Sequence, residues 1–160
     1  MDLNAIKQHI EAAEGRSATV YTDSAGHPTI GIGFNLDRAG AQQQIEALGL
    51  NYSDVRSGKQ SLTDAQIDTL FNADVNQAIA DARSLVSNFD TIPDDKQVVV
   101  TDMVFNMGKN TFSQFTNTID AIEDEDWDRA ADEMQDSAWY DQVGSRGVDD
   151  VEMMRGDQGS

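Results

Sequence analysis

The sequence predicts an α+β fold, on three observations: helical periodicity at the start, a short strand-forming stretch broken by turn residues, and helical periodicity again after Leu36. Between Leu3 and Ala13 the apolar residues Leu3, Ile6, Ile10 and Ala13 recur at the spacing of one helix face, and Gly15 follows as a stop. A first helix therefore ends near Glu14. The period then changes. Val20, Tyr21, Thr29, Ile30, Ile32 and Phe34 favour extended backbone, while Asp23-Ser24-Ala25-Gly26 and His27-Pro28 supply turn chemistry, so a small antiparallel hairpin with a third strand is expected.

Beyond Leu36 a short helix is expected over about 39–48, stopped by Gly49, and residues 52–60 read as loop. A longer helix opens at Thr63, where Thr-x-x-Gln with Gln66 matches a capping box, and carries Ile67, Leu70, Phe71, Val75, Ile79, Ala82 and Val86 inward. Pro93 suits the first turn of another helix. The run from Val98-Val99-Val100 through Met103-Val104-Phe105 to Gly108 is apolar on most sides, as a buried central helix must be. Shorter helices are expected around 112–122, 126–134 and 148–154, with Ser145-Arg146-Gly147 as a break and a loose tail after Arg155. Without repeats or linkers, residues 1–160 read as one domain. It comprises an N-terminal lobe at about 14–62, a joining helix at 63–86, and a helical lobe at about 90–155 packed with helix 3–13.

Composition excludes several functions. The net charge of -18, from 29 acidic and 11 basic residues, argues against nucleic-acid binding and against adhesion to anionic membranes. No apolar run approaches the roughly 20 residues of a membrane span. The start, Met1-Asp2-Leu3-Asn4, has no basic region followed by an apolar stretch, so no secretory signal is expected. The absence of cysteine removes disulfides, thiolate chemistry and cysteine-based zinc sites. Gly31-Ile32-Gly33 lacks the third glycine of a dinucleotide loop, and His9 and His27 are too few and too separated to suggest a metal site. The run Glu123-Asp124-Glu125-Asp126 suits the start of a helix at Trp127 better than a cation loop. No cofactor or metal is expected.

Three residues can carry chemistry: Glu14 at the end of the first helix, Asp23 in the hairpin turn and Thr29 at the start of the next strand, spaced Glu-x8-Asp-x5-Thr. A hairpin folding back over the helix end brings two carboxyl groups and a hydroxyl to one wall, which is what acid-assisted attack of water on an acetal requires. The C-terminal end of a helix carries partial negative charge and disfavours an ionised carboxylate, which suits Glu14 to the role of proton donor. Asp23, in a turn rich in hydrogen-bonding groups, is the natural carboxylate, and Thr29 can orient a water beside it.

Ala13-Glu14-Gly15, Tyr21-Thr22-Asp23-Ser24-Ala25-Gly26 and Thr29-Ile30-Gly31-Ile32-Gly33 together resemble the N-terminal signature of the phage-type lysozymes. Leu70-Phe71-Asn72-Ala73-Asp74-Val75 resembles that family's interlobe helix, and Asp102-Met103-Val104-Phe105-Asn106-Met107-Gly108 its central helix. Trp127-Asp128-Arg129-Ala130-Ala131 and Trp139-Tyr140-Asp141-Gln142 resemble its C-terminal segments, so the likeness runs from about residue 3 to 155. The resemblance implies a Glu/Asp/Thr triad on Glu14, Asp23 and Thr29 that cleaves the bond from N-acetylmuramic acid to N-acetylglucosamine in peptidoglycan, with inversion at the anomeric carbon.

The resemblance also implies that Arg146 pairs with the catalytic glutamate, an influence opposed to that of the helix end. It assigns Gly33, Asn35, Phe105, Thr118 and Glu133 to sugar binding, although Phe105 is equally suited to the core and Asn35 stands where the family more often has an apolar residue. Phe34 replaces a histidine known in the family, so a salt bridge from that histidine to an acid such as Asp74 is expected to be missing. Asp149 and Asp150 stand where relatives are commonly basic. The expected role is that of a monomeric endolysin. It would be held in the host cytoplasm until a holin-like membrane protein opens a path to the wall. A virion-borne wall-piercing enzyme, a lytic transglycosylase and an inactive wall-binding module are the alternatives.

Overall fold

A computed structural model describes residues 1–156. The chain forms two compact units, one of Glu11–Asp74 and the other of Met1–Ile10 together with the chain from Val75 onward. It passes between them within α1 (Leu3–Glu14) and α4 (Asp64–Leu85). The fold class is α+β as expected. The tail beyond residue 156, read as loose, lies outside the described residues.

In the first unit α1 leads into a three-stranded antiparallel sheet, β1 (Ser17–Thr22), β2 (Pro28–Gly31) and β3 (Phe34–Asn35), in the order β1-β2-β3. Register pairs Tyr21 with Thr29 and Thr29 with Asn35, so these three form one row across the sheet. Ile30, paired with Phe34, points to the opposite face and is fully buried. After the sheet come α2 (Ala41–Ala47) and α3 (Tyr52–Ser57), then the first turns of α4. Residues 52–60 were expected as loop, and α3 corrects that reading. Asn51 Oδ1 accepts from Asp54 N–H at 3.0 Å and Gly58 ends the helix at φ 88°, so a single turn and a half is held by its two caps rather than by a periodic apolar face.

The capping box at α4 is present in both directions. Thr63 N–H donates to Gln66 Oε1 at 2.9 Å, and Gln66 N–H donates to Thr63 Oγ1 at 3.2 Å. With Phe34 in place of the histidine, that salt bridge is absent, and Asp74 takes its cation from Arg38 instead. Arg38 donates to both its oxygens, at 2.9 and 2.7 Å, and lies 3.9 Å above the Phe34 ring. The aromatic ring thus supports the arginine that neutralises Asp74, a planar stacking role that guanidinium performs well.

The second unit is helical: α5 (Asp94–Met107), α6 (Lys109–Phe112), α7 (Thr116–Glu123), α8 (Trp127–Gln135), α9 (Ala138–Val143) and α10 (Ser145–Arg155), with a 3-10 turn at Phe89–Thr91. Every residue of α5 from Lys96 to Val104 is buried, so the apolar run does form the central helix. Helix α10 packs against α5, α8 and α9. Lys96, buried among them, donates to Asp95 Oδ2 and to the carbonyls of Met153 and Gly156, which closes the C-terminal end of α10 with a cation. Asp126 caps α8 by accepting from Arg129 N–H at 3.1 Å, the role read for this acidic run. The one helix expected over 112–122 is two, α6 and α7. Helix α10 begins at Ser145 rather than 148, because the break falls on Gly144, whose φ of 60° and ψ of -125° suit only glycine.

Candidate active site

Glu14 is the last residue of α1, and Gly15 at φ 79° turns the chain into β1. Arg16 steadies this corner through Nη1 to Asp68 Oδ1 at 3.0 Å and Nη2 to Asp64 Oδ1 at 3.2 Å, both at the start of α4. The glutamate side chain is half-buried and its carboxyl group lies on the bare Cα of Gly33. A Cβ at that position would fall 2.9 Å from both Cδ and Oε1 of Glu14. Gly33 also has φ 67°, a left-handed conformation that costs an L residue roughly 1–2 kcal/mol. Gly33→Ala is therefore expected to displace the Glu14 carboxyl and to lower activity at least about tenfold, beyond its backbone destabilisation of roughly 1–2 kcal/mol. Turnover and urea melts of the same variant separate the two effects.

The turn that follows β1 is held by Asp23. Its Oδ1 accepts from the N–H groups of Ala25 at 2.9 Å and His27 at 2.8 Å, while its own N–H donates to His27 O at 2.9 Å. This closed turn fixes the carboxylate, and among the described residues both side-chain bonds fall on Oδ1, so Oδ2 keeps its lone pairs for a ligand. Thr29, only 3% exposed, donates its hydroxyl proton to His27 O at 3.0 Å. Its oxygen can then accept from a water but not donate to it.

Tyr21 ties the two carboxyl groups together. Its phenol is pushed above the usual range first by burial, then by the negative charges of Glu14 and Asp23, so one ring feels both acids. The cross-strand row Tyr21, Thr29, Asn35 places Asn35 beside Thr29, with its Oδ1 accepting from Asp37 N–H at 2.8 Å. Glu14, Asp23, Thr29, Gly33 and Asn35 all belong to the unit Glu11–Asp74. Tyr21 was read only as a strand residue; its place two positions before Asp23, on the alternation of one strand face, was the signal available.

The remaining predicted residues belong to the other unit. Phe105 is half-buried near the end of α5 and Glu133 half-buried on α8. Thr118, on α7, is only 2% exposed, about as buried as Thr29. Arg146, near the start of α10, donates from Nε to Asp102 Oδ2 at 3.1 Å and from Nη2 to Asp102 Oδ1 at 2.6 Å, a bidentate pair that sequence reasoning did not foresee. Asp102 is fully buried, and so is Asp150, whose Oδ1 lies 2.8 Å from His9 Nε2. Burial alone would raise Asp102, but hydrogen bonds from Asp150 and Arg146 hold its carboxyl below the usual range. Burial, then the neighbouring Asp102, pushes Asp150 well above it. No spacing rule could find these three: positions 9, 102 and 150 lie on α1, α5 and α10.

A family model described as phage lysozyme matches residues 11–151. The chain is 28% identical over 155 residues to probable T4-type lysozyme 1 of Dictyostelium discoideum, covering 90% of this chain and 89% of that protein. It is 26% identical over 152 residues to probable T4-type lysozyme 2 of the same organism, with the same coverage. It is also 26% identical over 140 residues to the pre-baseplate central spike protein Gp5 of Enterobacteria phage T4, matching 83% of this chain and 24% of that longer protein.

Proposed function

The chain belongs to the phage lysozyme family of peptidoglycan hydrolases, and from that membership we propose that it is a muramidase, cleaving the β-1,4 bond between N-acetylmuramic acid and N-acetylglucosamine. The observation that carries the reading is the seating of the Glu14 carboxyl on Gly33 together with a single phenol, Tyr21, that feels both Glu14 and Asp23. Glu14 protonates the glycosidic oxygen as the bond to the sugar breaks. Asp23, fixed by the N–H groups of Ala25 and His27, takes a proton from a water that Thr29 also holds, and that water attacks the anomeric carbon from the opposite face. The sugar is inverted. Asn35 in the unit Glu11–Asp74, and Phe105, Thr118 and Glu133 in the other, are the remaining candidates for sugar contacts.

Digestion of purified peptidoglycan followed by mass spectrometry tests the reaction. Hydrolysis leaves reducing muramic ends, whereas anhydromuramic ends would overturn the mechanism in favour of transglycosylation. Because both the protein, at net charge -18, and the wall are anionic, the rate of wall clearing is expected to rise as salt increases from very low ionic strength. Turbidity decay across a salt series checks this; a steady fall would show that net charge is not the controlling quantity.

In the cell the proposed role is that of an endolysin, reaching the wall once a holin-like protein has opened the membrane. No described helix is long and apolar enough to cross a membrane. The similarity to the phage spike protein favours a second reading, a virion-borne enzyme that opens the wall during entry. Detection of the chain in purified virions, against its absence there, separates the two.

A further inference from the structure

We propose that His9, Asp102 and Asp150 form a binding site for one transition-metal ion of the zinc class, joining α1, α5 and α10. His9 Nε2 lies 2.8 Å from Asp150 Oδ1 and 3.8 Å from Asp102 Oδ2, and one ligand atom from each residue lies within 4.8 Å of the others. A tetrahedral ion with bonds of about 2.0–2.2 Å sets its ligand atoms roughly 3.3–3.6 Å apart, so side-chain shifts of under about 1 Å complete the triangle.

A metal ion here would take the place of the proton that the two buried acids share. Both carboxyl side chains are completely buried, and the Arg146 guanidinium, bound to both oxygens of Asp102, neutralises one of the two. The second carboxyl, that of Asp150, has an imidazole on Oδ1, and its Oδ2 finds no donor among its neighbours, so it is relieved only by a proton shared with Asp102 or by a metal ion in that proton's place. A buried carboxylate oxygen without a donor is costly, and either a proton or a metal ion removes that cost.

The remaining features fit a metal with an open position. The His9 side chain is 21% exposed, which supplies a route for the ion and room for a water as fourth ligand. Arg146 then acts as the outer hydrogen-bond donor that orients a ligating carboxylate. One imidazole and two carboxylates suit zinc, cobalt or nickel. They do not suit calcium, which takes six to eight oxygens, or magnesium, which keeps an octahedral oxygen shell.

The test uses the full chain stripped with a chelator, zinc chloride as probe, and magnesium chloride as comparison. Wild type is expected to bind one zinc ion by calorimetry and to melt on the order of 5 °C higher at about 100 times the dissociation constant. His9→Gln and Asp150→Asn are each expected to bind zinc at least about tenfold more weakly and to lose that rise, and magnesium is expected to give none. Lack of zinc binding by wild type overturns the site. So does a rise of equal size in both variants or with magnesium, which would assign it to screening of the acidic surface. Circular dichroism confirms folding of each variant, and if Asp150→Asn does not fold, the partly exposed His9→Gln decides.

Discussion

Glutamine at position 14 is expected to lower turnover of peptidoglycan about 10²–10⁴-fold, the usual contribution of a positioned general acid. Glutamine has nearly the same shape, so it still fits against Gly33, but its amide has no acidic proton to give. The variant's melting temperature is read beside turnover, since the carboxyl it replaces is half-buried on Gly33 and carries structural contacts of its own. Turnover measured beside a thermal melt distinguishes lost chemistry from lost fold. Adding Asp23→Asn to Glu14→Gln should cost little more than the worse single variant, because a donor and a water-holding carboxylate act as a unit. Undiminished turnover by Glu14→Gln would remove this residue from the mechanism.

The second large effect is on stability. Asp102→Ala removes the buried carboxylate that takes both Nε and Nη2 of Arg146, and deleting one partner of a buried ion pair typically costs about 3–5 kcal/mol. Asp150 loses its acceptor on Asp102 in the same change, so nothing offsets the loss within that range. Urea unfolding measures it. A loss below roughly 1 kcal/mol would mean that the buried Asp102–Arg146 pair contributes little net stability.

Local chemistry was legible in the sequence and distant chemistry was not. Glu14, Asp23 and Thr29 lie within one helix end and one hairpin, so turn residues and a change of period were enough to locate the elements that carry them. The Thr63–Gln66 cap was readable for the same reason, since its two bonds connect residues three apart. Helices α3 and α9 escaped because six residues show no periodicity; they are set by Asn51 and Ser137 as caps. The Arg38–Asp74 pair, 36 positions apart, and the Arg146–Asp102 pair, 44 apart, escaped because nothing in a linear pattern states which of many acids an arginine meets. Family likeness foresaw only the loss of a histidine's salt bridge at position 34, and tertiary packing supplied Asp74 with Arg38.

The division of the chain has a consequence for its synthesis. Glu11–Asp74 is one continuous stretch, so it can acquire its structure while translation is still under way. The other unit cannot, because its two stretches lie on either side of that segment and the bond from His9 to Asp150 spans 141 positions. Closing so long a loop is slow. Until that loop closes, Ile6 and Ile10, fully buried in the finished protein, lack part of the unit to which they belong. That interval is when a nascent chain of this kind most needs its strong negative charge to keep neighbouring copies apart.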